Sequence, residues 1–123
     1  MVSAGLCAAS WVCPVDTAAG EANAAARGLY INFWFGDYIE AAYPLMERDR
    51  YVNAAAYLAA SISGGILGSV HGGVRSSAYL PAPLAVAIAG SEWREAFVAF
   101  AVCFFLPFAV ALSRNSAMVV AKE

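Results

Sequence analysis

Charged residues are scarce in this sequence: Asp, Glu, Lys and Arg make up 13% of its 123 residues, about half the share found in ordinary soluble domains. The seven basic residues form no stripe and the net charge is −2, so a nucleic-acid partner is not expected. His71 is the single histidine, and no phosphate-binding glycine loop or Ser-His-Asp set is present. We therefore predict no self-contained catalytic centre, no metal site and no cofactor.

Cysteine is also rare, with Cys7, Cys13 and Cys103 as its three occurrences. Because their number is odd and their neighbours are apolar, we interpret them as small apolar packing residues. A disulfide or metal pair formed by Cys7 and Cys13 is the alternative, although no histidine or second cysteine pair lies close to them in the sequence.

Apolar residues, by contrast, are abundant. They make up 62% of the chain, and its mean hydropathy is +0.65. A soluble domain of this size has too little interior to bury so much apolar surface. We therefore predict an all-α integral membrane protein, because helices satisfy their own backbone hydrogen bonds in lipid.

Charged residues divide this single membrane domain into segments of different length. A helix needs about 20 apolar residues to cross a bilayer, with a lower limit of about 17. Two predicted helices reach this length, one at 51–74 and one at 96–113. The other segments are shorter or interrupted, and we predict an apolar or interfacial segment at 1–27, a re-entrant segment at 28–50 and a short segment at 76–91. A cleaved signal sequence is a second interpretation of the first fifteen residues.

The helix at 51–74 carries small residues at every fourth position. Gly64, Gly68 and Gly72 continue one row, and Gly65 belongs to a second row beside it. Small residues at this spacing let a neighbouring helix approach closely in a membrane. We expect this face to pack against another helix.

The helix at 96–113 is bulkier, with phenylalanine at several positions and one proline, Pro107. Proline removes a backbone hydrogen bond and predicts a kink there. We expect this helix to face lipid or to form the outer layer, with Trp93 in a water-exposed turn before it.

Two carboxylates interrupt the aromatic segment between Tyr30 and Met46. Asp37 and Glu40 are three residues apart and would share one face of a helix. A carboxylate at membrane depth costs about 3 kcal/mol on insertion scales, so it usually faces a cavity and has a function. We predict a polar-ligand site in which a buried Glu40 accepts hydrogen bonds from hydroxyl groups. The alternative places both acids in water at the membrane interface.

His71 ends the glycine-rich helix and is followed by two glycines. One histidine cannot bind a metal ion without partners. We predict either a residue that caps the helix end at the interface or a hydrogen-bonding residue close to Glu40.

These motifs resemble a known family. Residues 40–45, EAAYPL, with Asp49 beyond them, are similar to the ITEGAIPF…D segment of the fructose-type membrane component (IIC) of the bacterial phosphotransferase sugar-uptake system. Residues 71–73 with 80–81 resemble its PHGG…LP stretch. The resemblance covers most of this chain but only about the C-terminal third of a family member. The family's GITE reads DYIE at 37–40, and the prolines before the histidine are missing.

The resemblance implies a membrane protein of the bacterial cytoplasmic membrane that carries and phosphorylates a sugar; an organelle membrane is the alternative location. Glu40 would bind sugar hydroxyls in a re-entrant site with His71 as its neighbour. The phosphate would come from a separate component that is not recognisable in this chain. The chain would then be a fragment, one piece of a split permease, or a descendant with another use.

Three functions remain open on these grounds. The first is a piece of a sugar permease, with the bilayer, other membrane chains and a small sugar as partners. The second is a structural or accessory subunit of a larger membrane complex, without a catalytic site of its own. The third is a small channel lined by the glycine and serine face.

Overall fold

The structure is a computed structural model that describes residues 1–16, 20–35, 39–69 and 93–122. These residues are 89% helical and include no strand, which confirms the predicted all-α fold. A single 3-10 turn, Ile39–Ala41, precedes the third helix. The helices are α1 (Val2–Val12), α2 (Glu21–Phe35), α3 (Tyr43–Arg48), α4 (Arg50–Ser69) and α5 (Trp93–Val120).

Helix α5 is the central element, with α4 packed on one side and α1 on another. α4 runs antiparallel to α5, because Ser63 Oγ near its end donates to the carbonyl oxygen of Ala99 at 2.8 Å, while Asp49 just before its start contacts Arg114. This arrangement brings the end of α5 and the beginning of α4 to the same end of the bundle.

Helix α1 runs parallel to α5 and is enclosed by its neighbours. Its residues from Ser3 to Ser10 are all buried. A methyl group on Gly5 would overlap the backbone carbonyl oxygen of Phe104, so the two helices are in direct backbone contact there. The sequence predicted an apolar or interfacial segment at 1–27 but not its place in the bundle. Residues as small as alanine, glycine and serine let this helix fit between α2 and α5.

The bundle has small residues inside and bulky ones outside. The buried apolar residues are mostly alanine, and Leu6 and Pro107 are the largest side chains that are fully enclosed. Tyr57, Phe105 and Trp34 are at least half exposed, with exposed fractions of 66%, 62% and 51%. Close packing through small residues, with large apolar groups facing outward, is typical of helices that associate in lipid.

Helix α5 is the one helix within the described ranges that is long and apolar enough to cross a membrane. Only 22% of its most apolar stretch is buried, whereas the core helix of a soluble protein would be mostly buried. The second predicted span coincides in part with α4, which is described from Arg50 to Ser69 and does not pass the same test. The two-span prediction is therefore matched by one helix only.

The bounds of α5 differ from the predicted 96–113. The helix begins at Trp93, which the sequence placed in a turn, and continues through Pro107 to Val120. It is also less peripheral than predicted, because Ala99 beside α4 and Asn115 beside α1 are buried, as is Pro107, while Phe105 is exposed. The predicted segment at 76–91 lies outside the described residues.

Candidate functional site

Glu40 lies in the 3-10 turn that follows α2, and the turn is held against the middle of that helix. Gly28, the central residue of α2, makes this approach possible: a methyl group there would stand 3.0 Å from the Cβ of Ala41 and 2.9 Å from the Sγ of Cys7. Glu40 itself is exposed, so the predicted burial of this glutamate was wrong: the turn packs on α2 through Ala41 and leaves the Glu40 side chain outside. Its predicted neighbours Asp37 and His71 lie outside the described residues.

The exposed face of Glu40 borders a groove between α2 and the 3-10 turn with α3. The groove has a volume of about 400 Å³. It combines acidic, basic and apolar side chains. Hydrogen-bond donors and acceptors of a polar ligand could therefore both find partners, and its carbon skeleton could contact apolar surface. The residues that line it are Glu21, Ala24, Ala25, Arg27, Glu40, Ala41, Pro44 and Leu45.

One of the two carboxylates in the groove is already fully engaged. Both carboxylate oxygens of Glu21 accept hydrogen bonds from Nη1 of Arg48 at 3.1 Å, and Oε2 also accepts the backbone N–H of Asp16 at 3.0 Å. Arg27 and Glu40, by contrast, make no hydrogen bond or ion pair within the described part of the chain. These two opposite charges are therefore the groups available to a ligand.

Below the groove, a buried polar network fixes the helices relative to one another. Nη2 of Arg48 donates to the side-chain oxygen of Asn115 at 3.1 Å. The amide nitrogen of Asn115, which is 2% exposed, donates to the carbonyl oxygen of Cys13 at 3.0 Å and to the hydroxyl of Ser10 at 3.5 Å. Because satisfied buried networks rigidify their surroundings, Arg48 is held in place from α1 and α5, and with it its ion-pair partner Glu21, which lines the groove.

Asp49 joins α4 to α5 at the end of the bundle where α4 begins and α5 ends. Its Oδ1 accepts the backbone N–H of Tyr51 at 2.7 Å, which is the N-cap interaction expected of aspartate at the start of α4. Its Oδ2 accepts Nε–H of Arg114, also at 2.7 Å. Burial of the carboxyl raises the pKa of Asp49, but the hydrogen bonds and charge of Arg114 and the N–H groups of Tyr51 and Val52 outweigh it, so the pKa is lowered overall.

A second groove, of about 520 Å³, lies on another side of the molecule and is almost entirely apolar. It offers no charged group to orient a polar ligand, so it does not compete with the Glu40 groove as a candidate site. Its lining consists of Trp11, Ala26, Leu29, Tyr30, Phe33, Trp34 and Phe104.

The glycine face predicted for helix packing is not used by α5. Helix α5 instead packs on the face of α4 that carries Ala55, Ala59 and Ser63. A methyl group placed on Gly64, Gly65 or Gly68 would meet no described atom within 4 Å. Gly72 lies outside the described residues, so the role of this face stays a prediction.

The sequence singled out Glu40 but missed Arg27 and the network around Asn115. Arg27 was the last residue of the predicted segment 1–27, although it belongs to α2. Asn115 and Arg114 lay beyond the predicted end of the last helix at 113. The signal that could have identified them is the short apolar run at 117–120, which continues the helix past these two polar residues.

Comparison with known proteins gives no relative on which to base a function: no family model, no curated protein and no solved structure matches the chain. Within residues 1–16, 20–35, 39–69 and 93–122, no three His, Cys, Asp or Glu side chains are grouped so that they could hold a metal ion.

Proposed function

We propose that this chain is a membrane-embedded subunit of a permease and that it binds a sugar in the groove beside Glu40. The observation that carries the proposal is that Glu40 and Arg27, two opposite charges without a partner in the described chain, line the same groove. A charged pair that its own protein leaves available is suited to a polar ligand.

The groove has the chemistry that a sugar requires. A carboxylate such as Glu40 accepts hydrogen bonds from hydroxyl groups, and a guanidinium such as that of Arg27 donates to hydroxyl and ring oxygens. Pro44 and Leu45 offer apolar surface to the C–H face of the ring. The volume of about 400 Å³ lies within the range of roughly 300–1,000 Å³ that is usual for small-molecule sites.

The membrane location is supported by α5 and by the distribution of side-chain sizes. α5 is long and apolar enough to cross a bilayer, and bulky apolar side chains cover the outside of the bundle. α4, with 20 residues, has the length that a second span needs at about 1.5 Å per residue. We propose it as that second span.

Binding of monosaccharides to the purified protein tests the proposal. A panel of ketoses, aldoses and sugar alcohols would be titrated against the wild type and Glu40→Gln, which keeps the side-chain shape but removes the charge. We expect one sugar class to bind and the variant to bind it about 10- to 100-fold more weakly, as for hydrogen bonds to a charged group. Arg27→Gln should weaken the same sugar.

Glu47→Gln is the matched control, because Glu47 is an exposed carboxylate on the neighbouring α3 that does not line the groove. It should bind like the wild type. If no sugar binds, or if Glu40→Gln and Glu47→Gln have equal effects, the sugar site is refuted.

A second candidate function is that of an accessory subunit, and it is favoured by the open face of α4. Gly64 and Gly68 are exposed there, next to large apolar side chains such as Tyr57, which is 66% exposed. The occupant we propose is an apolar helix of a different membrane chain, because close approach through glycine is a common contact between helices in lipid.

Replacement of one glycine by a larger residue tests this second candidate. Gly68→Leu should abolish co-purification of a partner chain, while Ala101→Leu, a similar enlargement at an exposed position of α5, should leave it intact. A wild-type chain that purifies from membranes as a stable monomer, with no partner, would exclude the accessory role.

A further inference from the structure

Two guanidinium groups converge on one exposed aromatic ring at the end of the bundle where α4 begins. The guanidinium carbon of Arg50 lies 5.0 Å from the ring centre of Tyr51, and that of Arg114 lies 4.9 Å from the same point. Tyr51 is 51% exposed. Two like charges are thus held beside a single ring that solvent or lipid can reach.

Most donors of these two groups have no acceptor in the described chain. Arg114 uses Nε for Asp49, and Arg50 uses one Nη2 donor for the hydroxyl of Tyr51. Of the two, Arg114 is paired with Asp49, whose oxygens are occupied by Arg114 and by the backbone N–H of Tyr51. This one carboxylate offsets one of the two guanidinium charges and leaves a local charge of about +1 with free N–H groups.

We propose that Arg50 and Arg114 bind the phosphate of a phospholipid headgroup beside Tyr51. A guanidinium fork matches the oxygens of a phosphate, and a phosphodiester, with one negative charge, balances the local excess. Arg114 lies within the last two turns of α5, the candidate spanning helix, so the site is at the height where headgroups meet such a helix. This inference depends on the proposed membrane location but not on sugar binding.

A lipid explains more of this surface than free phosphate does. Leu58, which is 58% exposed, lies seven residues after Tyr51 and so shares its face of α4. An acyl chain attached to the bound headgroup can run along this exposed apolar strip towards the middle of α4. A free phosphate ion would leave the strip without an occupant.

Native mass spectrometry of the delipidated protein, titrated with phosphatidylglycerol, tests the proposal. We expect the wild type to bind one lipid about tenfold more tightly than Arg50→Gln, since charge-assisted hydrogen bonds are lost. Arg50→Lys, which keeps the charge but not the fork, should be intermediate. Arg50 is exposed, and its single side-chain hydrogen bond is to Tyr51, so these variants should fold; circular dichroism checks their helix content.

Arg94→Gln is the matched control. Arg94 also stacks on a neighbouring aromatic ring, with 5.4 Å to the ring centre of Trp93, but it is a single cation at the other end of α5. Its substitution should leave lipid binding unchanged. Equal binding by the wild type and Arg50→Gln, or an equal loss in Arg94→Gln, would overturn the proposal.

Two further probes separate the lipid from other sources of phosphate. Diacylglycerol, which lacks the phosphate, should not bind, and inorganic phosphate should not displace phosphatidylglycerol. Arg50-dependent binding of inorganic phosphate without any preference for the lipid would assign the site to a soluble anion and so refute the headgroup.

Discussion

Arg114 and Asp49 are joined by a hydrogen bond of 2.7 Å between Nε and Oδ2, which connects α5 to the residue just before α4. The carboxyl is almost completely enclosed, with 5% of its side chain exposed, whereas the arginine side chain is 42% exposed. The same carboxyl caps α4 through Tyr51. One acidic side chain thus stabilises both a helix end and a contact between two helices.

The first prediction separates these two roles of Asp49. Asp49→Asn keeps an oxygen that can cap α4 but removes the charge, and it should lower the free energy of unfolding by about 1–2 kcal/mol, because the arginine partner is partly exposed. Asp49→Ala also removes the cap and should cost about 1 kcal/mol more. Unfolding in detergent micelles, followed by circular dichroism, measures both differences.

Arg114→Gln and the double variant with Asp49→Asn complete a mutant cycle. If the two single effects add without any coupling energy, the ion pair does not contribute to stability and the first prediction fails.

The second prediction concerns pH. The pKa of Asp49 is lowered in the folded protein, so the unfolded chain binds this proton more readily than the folded chain does. The stability from the ionised carboxyl is therefore fully present above its unfolded pKa of about 3.9 and is lost as the pH falls through the lower folded value. The free energy of unfolding of the wild type should decrease between about pH 5 and pH 3.

Other acids also titrate in this range, so the informative quantity is the difference between the wild type and Asp49→Asn. That difference should shrink as the pH falls. A difference that stays constant with pH would show that the charge of Asp49 has no part in stability.

The third prediction contrasts two glycines in different surroundings. Gly5→Ala places a methyl group against the backbone oxygen of Phe104, and because backbone cannot easily move, we expect a loss of about 1–3 kcal/mol in stability. Gly64→Ala meets no described atom within 4 Å and should raise stability by about 0.5–1 kcal/mol through better helix propensity.

Both variants carry the same chemical change, so each is the control for the other in one thermal unfolding series. A destabilised Gly64→Ala would mean that another segment or chain occupies the glycine face. An unaffected Gly5→Ala would contradict the backbone contact between α1 and α5.

The fourth prediction is the orientation of the chain in the membrane, which the sequence pattern left undecided. Of the basic residues that the structure describes, most lie at the end where α4 begins and α5 ends, while Arg94 is at the opposite end of α5. Loops rich in lysine and arginine face the cytoplasm, so we expect this end to be cytoplasmic. Its basic residues are Arg48, Arg50, Arg114 and Lys122.

Single cysteines at the two ends of α5 test this orientation once the three native cysteines have been replaced by alanine. In intact cells, a membrane-impermeant maleimide should label Arg94→Cys, and it should reach Lys122→Cys only after lysis. The reverse pattern would invert the topology.

The all-α fold and the approximate positions of α4 and α5 could be predicted from the sequence, because long apolar runs between charged residues indicate helices. The enclosure of α1 could not, because residues such as Gly5 become buried only when a distant helix packs against them. The groove itself was not predicted, although Glu40, one of the residues that line it, was singled out as a chemically unusual residue in an apolar segment. Its companion Arg27 was not identified, because its place beside Glu40 depends on the fold of the chain after Phe35.

The polar network was hidden for the same physical reason. Asn115 contacts Arg48 and Cys13, and these pairs are separated by 67 and 102 residues. No local pattern reports on such contacts. The polar character of Asn115 would have become informative only if the last helix had been extended to include it.

The enclosure of α1 also has a consequence for biosynthesis. α1 is translated before α5, one of the helices that enclose it, and contacts such as that of Cys13 with Ser116 join residues 103 positions apart. While the ribosome is still adding the intervening residues, the nascent α1 therefore has α2 beside it but lacks the surface that completes its burial. The bundle closes only after α5 has been made, and a chain arrested before α5 would leave its innermost helix uncovered.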